Sequence, residues 1–193
     1  MNVPVPELPR LRIRSRSVLP VVQGGMGVGI SAHRLAGAVA QTGAVGTISS
    51  VDLRRHHADL MELSRNANKA TVDAANLVAL DREIRAAKAL ADGRGLVAVN
   101  VMRAVSEYAA NVRQACASGA DAIVVGAGLP LDLPELAAPW PDVALMPILS
   151  DARGIALVVK KWARKGRLPD AIVIEHPRYA GGHLGAAKIE DLN

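Results

Sequence analysis

Val18-Leu19-Pro20-Val21-Val22-Gln23-Gly24-Gly25-Met26-Gly27-Val28-Gly29 is the stretch on which the choice of fold turns. Val18 to Val22 reads as a short apolar strand, with the glycines at its carboxyl end. Ser31 follows as the cap of a helix. A strand, a Gly-rich loop and a helix can open a dinucleotide-binding sheet. The spacing argues against that here, because a series counted from Gly25 needs glycine where Ile30 stands. No Gly-Lys-Ser/Thr follows either, so the stretch is not a phosphate P-loop. What remains is a strand end whose small residues let the backbone approach a ligand closely.

Outward from this stretch the chain alternates strands and helices. Apolar runs at Ala44 to Ile48, Leu96 to Val99, Asp121 to Val125, Val143 to Ile148 and Ala171 to Ile174 read as buried strands. The first helix carries Leu35, Ala38 and Val39 on one face and ends at Gly43. The second repeats Leu77, Leu80, Ile84, Ala87 and Leu90 at helical spacing, with Asp81 and Arg85 as an i,i+4 pair. Val105, Ala109, Val112 and Cys116 mark a third helix, and a short one follows near Leu133 to Ala138. Asp151 caps the last, with Ile155, Val158, Val159 and Trp162 inward. Its Lys160, Lys161, Arg164 and Lys165 favour the helix dipole and need no partner to explain them.

About six strand–helix units therefore follow one another, and two share a local pattern. Gly-Ala-Asp-Ala-Ile-Val starts at Gly119 and Leu-Pro-Asp-Ala-Ile-Val at Leu168. Gln23, Asn100, Gly126, Ser150 and His183 all fall at strand ends, and they converge on one site only if the sheet closes. The expected class is α/β, built of TIM-barrel-like (β/α) units in one domain over residues 1–193. A full barrel takes about 250 residues. With about six of eight units, the expectation is a truncated barrel lacking the strands whose loops commonly bind phosphate. Its open edges invite self-association.

Composition sets the class of core and partner. Half of the 193 residues are hydrophobic, yet there is no Phe and only two Trp and two Tyr. Such a core is Ala, Val, Leu and Ile, which suits parallel strands under Ala-rich helices. It leaves no aromatic platform for stacked bases, so nucleic acid is not expected as a partner. The net charge of +5 owes much to Arg10, Arg12, Arg14 and Arg16, which would form one basic row on an extended edge. Cys116 is the only cysteine, so no intrachain disulfide is possible, and it reads as a small core residue. No apolar run approaches membrane-spanning length and the N-terminus has no hydrophobic signal core, so a cytoplasmic protein is expected.

Two stretches hold histidines. Residues 49–75 are polar and irregular apart from a short helix around Ala58 to Leu63. His56 and His57 lie there near Asp52 and Asp59, but adjacent histidines point in different directions and no ligand spacing emerges. Glu175-His176-Pro177-Arg178-Tyr179-Ala180-Gly181-Gly182-His183-Leu184-Gly185 follows the last strand. Its glycine pair allows close approach, and His183 can exchange a proton near neutral pH. A metal held by Glu175, His176 and His183 is the lesser reading, and none is expected.

The ordered motifs Val21-Val22-Gln23-Gly24-Gly25-Met26-Gly27-Val28, Val99-Asn100-Val101-Met102, Asp121 to Pro130 and Ala180 to Gly185 resemble the nitronate monooxygenase family. The resemblance implies an FMN-binding TIM barrel. Gln23, Gly24, Gly25 and Met26 would lie along the flavin, Asn100 would hydrogen-bond it, and Gly126 would begin a loop on the substrate side. Gly181 and Gly182 would join the cofactor site, and His183 matches the family's catalytic histidine. The implied reaction oxidises an alkyl nitronate or nitroalkane with O2 to a carbonyl compound and nitrite. The lead His176-Pro177-Arg178-Tyr179 is bulkier than the family pattern. An enoyl-thioester reductase of the same superfamily is the second reading, and an inactive fragment that persists by self-association the third.

Overall fold

A computed structural model describes residues 8–176. Gly181, Gly182 and His183 lie outside the described residues. The chain begins with an antiparallel hairpin, β1 Leu11–Ile13 and β2 Arg16–Val18, turning through Arg14 at φ +53°. The four arginines therefore do not form one extended row. Arg14 Nη1 reaches Asp170 Oδ1 at 3.1 Å, and Arg16 donates to the Gly93 carbonyl at 2.7 Å. Nor is Val18 to Val22 one strand. Val18 belongs to the hairpin, Pro20 interrupts the run, and Val22 forms a parallel bridge to Val45.

Among the described residues the main sheet has five parallel strands: β3 Val45–Ser49, β4 Leu96–Met102, β5 Ala122–Gly126, β6 Ala144–Leu149 and β7 Val173–Ile174. They lie side by side in chain order, with Thr47, Ala98, Ala122 and Ala144 in one register row. A doubly wound sheet reverses direction at a switch point; this one does not. With the Val22 bridge ahead of β3, it is a half-barrel of (β/α) units, as expected from the alternation.

The helices are α1 His33–Gln41, α2 Ala58–Leu63, α3 Lys69–Ala91, α4 Tyr108–Ala117, α5 Leu133–Leu136 and α6 Ala152–Ala163. A 3-10 turn over Leu53–His56 precedes α2. The larger core cluster joins helix residues to Ile48, Val97, Val99, Val101, Ile123 and Val125. Strand residues of the other parity, among them Val45, Leu96, Ala98, Ala122, Val124, Ala144 and Met146, form a second cluster. The two-residue period of a strand puts these sets on opposite faces. Ile13 and Val18, both essentially fully buried, bring the hairpin into the second cluster at the amino-terminal end of the strands.

Three helix details differ from the sequence reading. α1 buries Ala36, Gly37 and Ala40, while Ala38 is exposed and Leu35 and Val39 half-buried. Gly46 is the reason, since a Cβ there would collide with the Ala36 carbonyl. A helix this close to its strand presents its smallest residues. α3 starts well before Leu77, because Asn68 accepts the Thr71 N–H at 3.0 Å and caps it at Lys69. Ser31 makes no cap; the residue before α1 is Ala32. Asp151 does cap α6, accepting the Gly154 N–H at 2.7 Å. Among the described residues no helix is long and apolar enough to cross a membrane.

Candidate functional site

Alternation in the Gly-rich loop builds the rim of the site. Gly25, Gly27 and Gly29 turn their missing side chains toward the carboxyl ends of the strands. A Cβ at Gly25 would collide with Asn100 and stand 3.5 Å from Thr47 Cγ2. One at Gly27 would stand 3.3 Å from Ser49 Oγ, and one at Gly29 would be 2.8 Å from His56 Nε2. The residues that alternate with them, Met26 and Val28 between and Ile30 just after, are exposed. The loop is thus a two-faced ribbon, with glycines against the barrel and an apolar ridge outward.

A polar clamp holds this ribbon. Gln23 Oε1 accepts the Thr47 N–H at 2.9 Å, and Gln23 Nε2 donates to Ser31 Oγ at 2.9 Å and to the Gly24 carbonyl. Fully buried Ser31 also accepts the Met26 N–H at 2.9 Å through Oγ, and its backbone N–H donates to the Met26 carbonyl at 3.0 Å. Ser31 therefore staples the loop to itself. Gln23 ties the loop to β3. Gly24 has open space where a Cβ would be, so no packing contact demands glycine there.

Asn100 is half-buried on β4, opposite Ser49 and Val124. Its backbone carbonyl accepts the Ser50 N–H at 3.0 Å. Gly126, one strand further and two residues higher, leaves room that Ile148 fills from β6, with Cδ1 3.2 Å from a Cβ at that position. Arg103 secures the loop beyond. Its N–H donates to the Gly126 carbonyl at 2.8 Å and its Cγ lies 3.2 Å from a Cβ at Gly128. Arg103 also stacks over the Tyr108 ring at 4.7 Å and sets Nε 3.4 Å from Asp132 Oδ1. Burial, and then the Asp132 carboxylate, push the Tyr108 phenol above its ordinary range, so the ring serves as a neutral platform. Ser150 lies at the end of β6 beside the cap of α6.

Gln23, Gly24, Gly25, Met26, Asn100 and Gly126 therefore share the carboxyl rim of one half-barrel. Thr47 was missed. Its Oγ1 is buried with no hydrogen-bond partner, next to Gly25. The available signal was its place in β3, two residues from Val45 and therefore on the same face. Cys116 is buried and its thiol is pushed up to about 12 by burial, which suits the core role and not a nucleophile.

His57 of the 49–75 stretch, together with His33, makes a structural contact. Fully buried Glu83 on α3 accepts the His33 N–H at 2.7 Å, faces His33 Nδ1 at 2.7 Å, and lies 3.1 Å from His57 Nε2. Among the described residues no group of three or more histidine, cysteine and acidic side chains could hold a metal.

The rim geometry can be set beside known proteins. A structure of FabK from Thermotoga maritima is 18% identical with a TM-score of 0.57, covering 86% of this chain and 43% of that one. A single-substitution variant of it is 19% identical with a TM-score of 0.55, covering 86% and 45%. The chain thus spans less than half the length of those structures, and at such identity the likeness shows the fold alone. A nitroalkane oxidase from Streptomyces ansochromogenes matches at 16% identity and a TM-score of 0.35, covering 80% of this chain and 64% of that one. No curated protein matches the sequence. The family profile described as nitronate monooxygenase matches residues 11–193, nearly the whole chain. The chain belongs to the nitronate monooxygenase family.

Proposed function

We propose that this chain carries the ring-facing side of an FMN site and takes part in the oxidation of alkyl nitronates or nitroalkanes to carbonyl compounds and nitrite. The observation that supports this most is the family match over residues 11–193, joined to the close approach of Gly25 to Asn100 at the strand ends. The residues present fit a planar polar cofactor. Thr47 Oγ1 is a buried hydroxyl in need of a partner, and Gly24 leaves an open backbone surface. Gln23, Gly24, Gly25, Met26, Asn100 and Gly126 would hold the group, with Gly181 and Gly182 joining them. When bound, FMN supplies the redox chemistry, taking electrons from the nitronate and passing them to O2.

The protein's own part is position and proton transfer. The clamp of Gln23 and Ser31 fixes the loop, so its backbone groups are set before a ligand arrives. The ridge of Met26, Val28 and Ile30 offers apolar surface to an alkyl substrate and displaces water. His183 is the residue proposed to take the α-proton from a neutral nitroalkane, a step that a preformed nitronate does not need.

The visible spectrum of the purified chain, with and without added FMN, is the first test. Flavin bands at about 370 and 450 nm should survive gel filtration. His183→Asn should then slow nitrite release from a neutral nitroalkane about 10²- to 10⁴-fold while leaving that from the nitronate nearly unchanged. Loss of all flavin on the column would overturn the cofactor assignment. Retained flavin with no nitrite, but with NAD(P)H consumed on a crotonyl thioester, would replace the monooxygenase with the reductase.

A further inference from the structure

A cavity of about 350 Å³ lies between α3 and α4, beyond the carboxyl ends of β3 and β4. It adjoins the glycine ribbon through the two residues that follow β3, because Ser50 and Val51 both line it. The Ser50 N–H donates to the Asn100 carbonyl at 3.0 Å. A Cβ at Gly27 would stand 3.6 Å from Val51 Cβ. Val51 therefore has the ribbon on one side and the cavity on the other. Beyond it, Val72, Leu77, Met102, Val105 and Ala110 give the cavity apolar walls.

The charged groups of the lining are already paired. Lys69 of α3, with its side chain 64% exposed, lies 2.7 Å from Asp73 and also pairs with Glu107 at the start of α4. Asp52 pairs with Arg54 at 3.1 Å and with Arg55. Three carboxylates thus line the cavity with their cations engaged, which disfavours an anionic group inside it. The remaining polar lining, Ser50, Asn76 and Asn111, is uncharged.

We propose that this cavity receives the alkyl tail of the substrate, so that the preferred nitro compounds carry a longer alkyl chain with an uncharged end. This rests on the reading of the rim as the site of nitronate oxidation. The reacting end lies at the rim beside Gly25 and Asn100, the ribbon and Val51 form the threshold, and the tail passes over it between α3 and α4. The apolar walls supply the affinity, and the volume falls in the range of small-molecule pockets. Val51 is the residue that sets chain length, since it alone touches Gly27 and lines the cavity.

Primary nitroalkanes from nitroethane to 1-nitrohexane are the probes. They are titrated into the full chain with FMN added and oxygen excluded, and followed by methyl 1H–13C shifts. Affinity should rise about three- to fourfold with each added carbon. The methyls of Val51, Val72, Leu77, Met102 and Val105 should move with 1-nitrohexane and stay still with nitroethane. 6-Nitrohexanoate, which puts a carboxylate at the end of the same chain, should bind at least about tenfold more weakly than 1-nitrohexane. Ala110→Trp, which fills the cavity from an exposed position on α4, should remove most of the gain with chain length. Leu77→Phe, which narrows it from α3, should do the same. Nitrite release with an affinity that does not change along the series would overturn the proposal and leave the reaction standing. Shifts at the Met26 and Val28 methyls in place of the cavity methyls would overturn it as well. A steep series with cavity shifts but no nitrite release would keep the alkyl site and overturn the nitronate reaction.

Discussion

A methyl group at position 25 has nowhere to go. It would collide with the Asn100 side chain, whose Cγ lies 3.0 Å away, in a place where the Gln23 and Ser31 clamp prevents the loop from lifting. Gly25→Ala should therefore cost about 1–3 kcal/mol by overpacking. Much of that cost should vanish in an Asn100→Gly background, as read by urea unfolding of the single and double variants. Gly24→Ala, with open space around it, should be close to neutral in the same assay. At this scale the sequence was legible in residue type and less so in target. A run of small residues announces close approach, but composition does not say to what. At Gly25 the neighbour is another side chain of the same site, at Gly27 it is Ser49, and at Gly29 it is His56. Ser31 misled for a related reason. A hydroxyl just before a helix is a good cap, yet here the loop's own N–H groups lie closer and win the oxygen.

Glu83 shows what helical periodicity leaves out. It sits among Leu80, Ile84 and Ala87 on the buried face of α3, a position where a spacing argument expects another aliphatic residue. Its carboxylate instead reaches the first turn of α1 through the His33 N–H and meets His57 at the start of α2. One buried side chain thus joins three helices. Glu83→Ala should cost about 1–3 kcal/mol, because it removes the shared acceptor of the His33 N–H and of the partly buried His33 and His57 rings. His33→Ala or His57→Ala alone should cost less, since each leaves Glu83 the backbone N–H of residue 33 and one histidine ring, and thermal melts of the three variants give the order. The long helices and their ion pairs were readable, as with Arg85 Nε at 2.9 Å from Asp81. The inward face of α1 was not, because its packing depends on Gly46 in the following strand, and no pattern within the helix reports that.

Over the whole molecule, the sequence repeat has a structural counterpart. Asp121 accepts the Val97 N–H at 2.8 Å and pairs with Lys88 at 2.6 Å. Asp170 accepts the Leu145 N–H at 2.8 Å and pairs with Arg167 at 2.7 Å. Each carboxylate, placed just before a strand, grips the beginning of the strand before it and fixes the register of the pair. Asp121→Ala and Asp170→Ala should each cost about 1–3 kcal/mol. With no shared partner, their costs should add in the double variant, as measured by denaturant midpoints. The alternation of units and the clamp motif were legible in sequence because both are local and periodic. The opening hairpin was not, since the residues it covers come from strands scattered along the chain. The sheet's order carries a further meaning for synthesis. Each parallel strand docks on the one made just before it, and the aspartates ahead of β5 and β7 latch their neighbours as these strands arrive. A nascent chain of this kind can pair the strands of its main sheet in the order in which they leave the ribosome, while the opening hairpin waits for strands made later.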